Sequence, residues 1–428
     1  MKVLMFGWEF PPHISGGLGT ACYGLTKGLS KIPDLEVVFV IPKVFGDEEN
    51  DAVQVIGANQ VQVVRKDIKI EGFIKKMEMV EVDINLVPYI SPELYEKSYS
   101  VNYGGSKRYV KTDDNGLIEF SGTYGPNLFQ EIANYAVVAS VLGQNTAFDI
   151  IHAHDWLTYP AGIAAKAVSG KPLVVHVHAT DFDRSGGNVN PFVFEIEKEG
   201  MMAADRVITV SNLTRNIVIE KYGINPDKVF TVYNAVEPIA VKENIEIKKG
   251  FDEKIVTFLG RVTLQKGPEY FIEVAYKVLQ RMDNVRFVMA GSGDMLNKMI
   301  ARAAKLKITD KFHFTGFLAG DDVYRMYSLS DVYVMPSVSE PFGISPLEAI
   351  QSNVPVIISH QSGVAEILNH AIKVDFWDID AMADAIYGIL NYPALDGMFT
   401  TFGKSEVEGL KWENSALKVR EVYNSVFA

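Results

Sequence analysis

Two short segments in the second half of the chain carry charged side chains at spacings suited to a phosphorylated ligand. The first is GRVTLQKG, residues 260–267. Arg261 supplies a planar guanidinium that can grip two oxygens at once, and Lys266 a compact point charge. Together they suit a diphosphate leaving group, whose negative charge must be held as it develops. Standing alone, such a loop would be read as a solvated surface pair. The second segment is SEPFGISPLEAI, residues 339–350, with Glu340 and Glu348 eight residues apart. Pro341 and Gly343 prevent one helix from holding both. The pattern predicts a helix starting at Ser345, with Pro346 in its first turn and Glu348 three residues past the cap, the arrangement of a capping box. Glu348 thus has a structural use, closing its own helix, beside any chemical one. An ionised carboxylate only accepts hydrogen bonds, so this pair would read the hydroxyls of a sugar rather than a phosphate.

The first half contributes histidines and glycines. His152 and His154 in IIHAHDW, with His176 and His178 in LVVHVHATDFD, are four of the eight histidines. An i, i+2 spacing on a strand points both side chains of a dyad to one face. Four imidazoles with Asp155, Asp181 or Asp183 would make a metal site. Alternatively, one histidine per strand lines an active site and the others are packed and hydrogen-bonded. No helical HExxH-type spacing is present and nothing in the sequence joins the dyads, so no metal is expected; Asp181-Phe182-Asp183 reads as a chance DxD triplet. Upstream, HISGGLGTACYGLTKGL at 13–29 puts Gly16 and Gly17 where a helix opens. Such glycines let backbone N–H groups approach an anion at a helix N-terminus, or simply serve tight packing at a strand–helix turn. The segment is not a GxGxxG, which argues against a dinucleotide-dependent dehydrogenase.

These side chains need strands whose ends meet. Short apolar runs, many rich in Val and Ile, recur at Lys2–Gly7, Val37–Ile41, Asp149–His152, Leu173–His178, Arg206–Val210 and Val229–Val232, then at Lys254–Leu259, Val285–Ala290, Lys311–Thr315, Asp331–Met335, Pro355–Ile358 and Ala371–Val374. Runs without alternation, separated by helix-length segments, are strands buried on both faces of parallel sheets. They predict an α/β chain of two doubly wound, Rossmann-like domains, with ligands at the carboxyl ends of the strands. Glycines at 289–294, 315–317 and 362–368 mark further strand-end turns on the second domain. The polar stretch Glu237–Glu253 sets the boundary, giving domains at 1–237 and 238–410 and a terminal segment at 411–428. In the latter, Trp412, Leu417, Val419, Tyr423 and Val426 predict an amphipathic helix over Trp412–Phe427. Residues about 42–125 read as an irregular insertion. Its Tyr89, Tyr95, Tyr99, Tyr103 and Tyr109 suit either half-buried strands or stacking on sugar rings.

At 428 residues the chain is long enough for two cores. A net charge of −12 makes nucleic acid an unnatural partner, so any phosphate site must be a local basic island. The single cysteine, Cys22, fits a reducing cytoplasm. The N-terminal apolar run is interrupted too early for a secretion signal, and no run is long enough to span a bilayer.

Taken in order, the Gly-Gly loop, HAHDW, a strand-end histidine, GR…QKG and the E-x7-E beginning EPFG resemble the GT-B glycosyltransferases. Within them the pattern is similar to the retaining glycogen and starch synthase branch and its group 1 relatives, over nearly the whole chain. The resemblance implies two domains facing a central cleft, a nucleotide diphosphate sugar as co-substrate without any other cofactor, and glucose transfer to an α-glucan or another sugar acceptor. It implies that Arg261 and Lys266 stabilise the diphosphate, that Glu340 sits beside the transferred sugar, and that Glu348 holds the ribose. Gly343, Ile344 and Ser345 would contact sugar or phosphates, and Phe317 and Leu318 would flank the base. From the first domain, Gly16 and Gly17 would approach the diphosphate, His178 the anomeric centre, with Asp155 nearby. The final helix would cross back to the first domain. One departure stands out: Ile14 occupies the position, two before the Gly-Gly pair, where bacterial ADP-glucose enzymes carry a lysine. That loosens the expectation of an ADP donor. Same-fold transferases with sucrose-, trehalose- or lipid-type acceptors, and a non-catalytic glucan-binding protein, are the alternatives.

Overall fold

The computed structural model describes residues 1–14, 16–48, 53–63, 112–238, 249 and 252–428, and the five tyrosines of the insertion lie outside them. The chain divides into two compact units. The first comprises Met1–Asp181, Val189–Ala235 and Trp412–Ala428, and the second Phe182–Asn188 and Val236–Lys411.

The first unit is built on β1 (Lys2–Phe6), β2 (Glu36–Ile41), β3 (Gln54–Gly57), β4 (Ile150–His154), β5 (Leu173–Val177), β6 (Arg206–Thr209) and β7 (Val229–Thr231). They form one sheet in the order β3-β2-β1-β4-β5-β6-β7, every pairing parallel. Strands such as β1 and β4 are buried almost throughout because helices cover both faces. β3 corrects the expectation that residues 42–125 are irregular from their start. Only four residues long and half-exposed, it has one neighbour among the described residues, β2, and carries no apolar run to betray it.

Helix Gly17–Ser30 is held against helix Trp412–Asn424 by two missing side chains. A Cβ on Gly24 would lie 2.2 Å from the Trp412 indole, and one on Gly28 2.6 Å from the Trp412 carbonyl oxygen. The buried face of the terminal helix is Trp412, Ala416, Val419 and Tyr423, steps of four, three and four. Leu417 was expected on that face but is 51% exposed, since it lies one residue round the helix from Ala416.

The second unit contains β8 (Lys254–Leu259), β9 (Val285–Ala290), β10 (Phe312–Gly316), β11 (Val332–Met335), β12 (Val356–Ser359) and β13 (Ile372–Val374), in the order β10-β9-β8-β11-β12-β13. Its core is aromatic at one end, where Phe271 meets Phe258, Phe287 and Phe312. In both sheets the direction of winding reverses beside the first strand, between β1 and β4 and between β8 and β11. The carboxyl ends of strands at such a reversal leave a crevice between diverging loops, the usual ligand position in doubly wound sheets. The loops emerging there are those singled out for their chemistry. Among the described residues no helix is long and apolar enough to cross a membrane.

Candidate active site

In the second unit, the loops after β8 and β11 are clamped together by backbone. The Val338 N–H donates to the Gln265 carbonyl at 2.9 Å. Gly267, at φ +65°, allows this approach: a Cβ there would lie 2.0 Å from the Pro336 carbonyl oxygen. On its other side the β8 loop joins the β9 turn, Val262 N–H donating to Ser292 O at 2.9 Å. The β11 loop is fixed in turn against residues after β12, with Glu340 N–H donating to Gln361 O at 2.8 Å and Gly363 N–H to Glu340 O at 2.9 Å. Glu340 is thus held on both backbone groups, and only 6% of its surface is exposed.

This clamp brings together side chains 74 residues apart. Lys266 Nζ lies 2.5 Å from Glu340 Oε2, and the Ser337 hydroxyl donates to the same oxygen at 3.2 Å. Arg261 Nη2 donates to Gln265 Oε1 at 3.2 Å. The two clamped loops thereby present two cations and a carboxylate together. Ser339 donates to Asp183 at 2.5 Å, so one carboxylate of the DFD triplet is a structural acceptor within the second unit.

Glu348 sits on helix Ser345–Gln351, but not as a capping box. Ser345 is the first helical residue, Ile344 is the cap, and no side chain caps the helix. The turn at Gly343, φ +101°, brings the chain into the helix one residue earlier than expected. Glu348 instead meets the Tyr327 hydroxyl at 3.3 Å, which also reaches the Ser345 carbonyl at 3.2 Å. Burial pushes the Glu348 carboxyl above the usual range, and the Tyr327 hydrogen bond opposes that rise. After β10, Phe317 is 61% exposed while Leu318 packs on Ile255, Val288, Ala290 and Met326.

In the first unit the two histidine dyads, which the sequence did not connect, form a single stack. β4 and β5 are paired in register at His154 and His176. Ring centroids of His152 and His154 are 4.1 Å apart, and those of His176 and His178 4.4 Å. His154 Nδ1 lies 2.9 Å from His178 Nε2. Burial lowers the His178 pKa to about 3, so its imidazole is neutral at ordinary pH. Asp155, at φ +63°, accepts the backbone N–H groups of His178 and Ala179 at 3.3 and 3.4 Å. It ties the end of β4 to the loop that carries His178.

The glycines of the first loop separate into two kinds. A Cβ on Gly19 would fall 2.8 Å from Glu9 Oε2 and from an Ile14 methyl, so Gly19 serves packing. Gly16 and Gly17, at the start of helix Gly17–Ser30, face open space. Sequence reasoning missed Tyr327, Ser337, Gln265 and Tyr423. Gln265 and Ser337 are uncharged neighbours of the residues they hold, whereas Tyr327 and Tyr423 reach their partners from other helices, Tyr423 having been expected only as a residue of the terminal helix.

The family described as "Glycosyl transferases group 1" matches residues 241–405, and "Glycosyltransferase Family 4" matches residues 105–238. An uncharacterized glycosyltransferase of Methanocaldococcus jannaschii is 29% identical, over 99% of this chain and 98% of its own. The glycogen synthase of Mycobacterium tuberculosis is 22% identical, over 99% of this chain and 94% of its own. Among solved structures, sucrose-phosphate synthase from Thermosynechococcus elongatus superposes with a TM-score of 0.73 at 18% identity, covering 100% of this chain and 99% of that one. The chain is a glycosyltransferase with the GT-B fold, and its residues 241–405 match the group 1 family.

Proposed function

We propose that this glycosyltransferase moves glucose from a nucleoside diphosphate sugar to the end of an α-glucan, with retention at the anomeric carbon. The observation that carries the donor half is the contact of Lys266 with Glu340 at 2.5 Å, with Arg261 on the same loop. A doubly charged diphosphate needs two cations, and this loop offers them at the sheet's winding reversal. On this reading the donor phosphates take over Lys266 from Glu340. The freed carboxylate then accepts from a sugar hydroxyl, while Glu348 accepts from the ribose. Gly343, Ile344 and Ser345 add backbone groups, and Phe317 and Leu318 border the base. In the first unit, neutral His178 is assigned to the anomeric centre, Gly16 and Gly17 to the diphosphate, and Asp155 to positioning His178.

In the reaction, the acceptor hydroxyl oxygen bonds to C1 as the bond from C1 to the diphosphate oxygen breaks. The diphosphate leaves with the electron pair, held by Arg261 and Lys266, and takes up the hydroxyl proton. The glucan acceptor rests on the full-length similarity to a glycogen synthase. A second reading has its own support: the structural neighbour with a TM-score of 0.73 is named for a sugar phosphate product. A phosphorylated monosaccharide acceptor is therefore the competing assignment. With one cysteine in the chain, we place the reaction in the cytoplasm.

The test is nucleotide release from UDP-glucose and ADP-glucose, with glycogen or with fructose 6-phosphate as acceptor. Glycogen-stimulated release, with label in α-linked glucan, is the expected result. Stimulation by the sugar phosphate alone would replace the glucan reading with the second one. Nucleotide release with neither acceptor nor above background would remove both.

A further inference from the structure

The histidine stack of the first unit is larger than one sugar-facing imidazole requires. His152, His154 and His176 are 0%, 0% and 2% exposed. Their ring centroids lie 4.1 to 5.4 Å apart. A neutral imidazole carries one N–H and one lone pair, and when buried each normally has a partner. Here Nε2 of His152, Nε2 of His154 and both nitrogens of His176 have none. Leaving one such group buried and unpaired costs about 1–3 kcal/mol, so several together demand an explanation.

The nitrogens that are paired show what the free ones are for. His152 Nδ1 lies 2.6 Å from the Tyr423 hydroxyl, and His154 Nδ1 lies 2.9 Å from His178 Nε2. A metal-binding histidine typically donates its second N–H to a neighbour, which fixes the tautomer and leaves the other lone pair free. With the proton on Nδ1, His152 and His154 are arranged in this way. One ligand nitrogen from each of His152, His154 and His176 lies within 4.8 Å of the others.

We propose that His152, His154 and His176 bind one transition-metal ion of the zinc type inside the first unit. Neutral imidazoles suit zinc and copper ions, and the nitrogens would draw in to about 2.0–2.1 Å from the metal. The ion would satisfy three orphaned lone pairs at once and cross-link β4 to β5. Through Tyr423 it would also lock the terminal helix to the sheet. With His154 Nε2 on the metal, its Nδ1 keeps the proton and donates to His178 Nε2. That leaves His178 with a proton on Nδ1, a nitrogen with no partner in the structure. His152, His154 and His176 all belong to the first unit, and the proposal stands whichever acceptor the enzyme uses.

The full-length protein, purified without chelator or polyhistidine tag, is analysed for metal by mass spectrometry. It is then stripped and titrated with Zn²⁺ and with Co²⁺, whose visible absorption reports ligation in the histidine site. The expected result is one zinc per chain, competed by Co²⁺ with the visible band, and both lost in His176→Gln. Should that variant not fold, Tyr423→Phe keeps the ring and removes the hydroxyl, and is expected to weaken zinc about 10- to 100-fold. The proposal is overturned by folded wild-type protein that takes up neither ion, or by undiminished affinity in both variants. It is also overturned if Cys22→Ser abolishes binding while His176→Gln retains it. That result would move the ion to Cys22, His154 and His178, which form an overlapping group.

Discussion

Lys266 and Glu340 illustrate how one contact serves fold and chemistry with separable signs. Glu340 is nearly buried, and Lys266 is the cation that balances it. Lys266→Ala is expected to lower turnover about 100- to 1,000-fold, the usual loss for one donor to a developing anion. It should also cost about 1–3 kcal/mol in stability, because a buried carboxylate is left with only the Ser337 hydroxyl. Adding Glu340→Gln removes the unpaired charge. The double variant should recover the melting temperature while turnover stays low, measured by calorimetry and nucleotide release. Near-normal turnover in Lys266→Ala would end the leaving-group role.

At the scale of elements, the glycines of helix Gly17–Ser30 allow packing and ligand approach to be told apart. Gly17→Ala puts a methyl into open space, so the melting temperature should hold while kcat/KM for the donor falls at least about tenfold, one step of 1.4 kcal/mol. Gly24→Ala puts the same methyl into the Trp412 indole. Overpacking of this kind costs about 1–3 kcal/mol, and should appear as a lowered melting temperature with Trp412 fluorescence shifted to the red. If Gly17→Ala destabilises as much as Gly24→Ala, the open face at the helix start has only a packing role.

At the scale of the whole molecule, the buried imidazoles make the first unit acid-sensitive. Burial lowers the pKa of His152, His154 and His176 well below the ordinary value, and of His178 to about 3. Below about pH 6.5 the unfolded chain therefore binds more protons than the folded one. This contribution is fully present above that pH and is lost as the pH falls toward the folded values. The loss is up to about 1.4 kcal/mol per pH unit for each histidine that charges on unfolding. Urea midpoints at pH 7.5 and 5.5 should fall accordingly for the first unit, and His178→Asn should flatten the fall. A midpoint independent of pH across that window would contradict the burial of the stack.

The amino-acid order alone determined the periodic features. Twelve of the thirteen described strands overlap the short apolar runs of the sequence, and the central ones are nearly all apolar because a strand covered on both faces has little polar side to show. The segments that carry Arg261, Lys266, Glu340 and Glu348 stand out for a related reason: proline and glycine punctuate them, so the charges between are conspicuous. Edge strand β3 was not legible, since a half-exposed strand of four residues needs no such run. Nor was the true cap of helix Ser345–Gln351, which depends on the conformation of Gly343. Only the tertiary structure decided which distant side chains meet. Glu340 reaches Lys266 because Gly267 lets two loops touch, and the two histidine dyads become one stack because β4 and β5 are neighbours in register. Tyr423 joins that stack from the end of the chain, 271 residues beyond His152. Local sequence sets the conformation of each segment, but contacts over such separations are set by the order in which strands enter a sheet, which no single segment encodes.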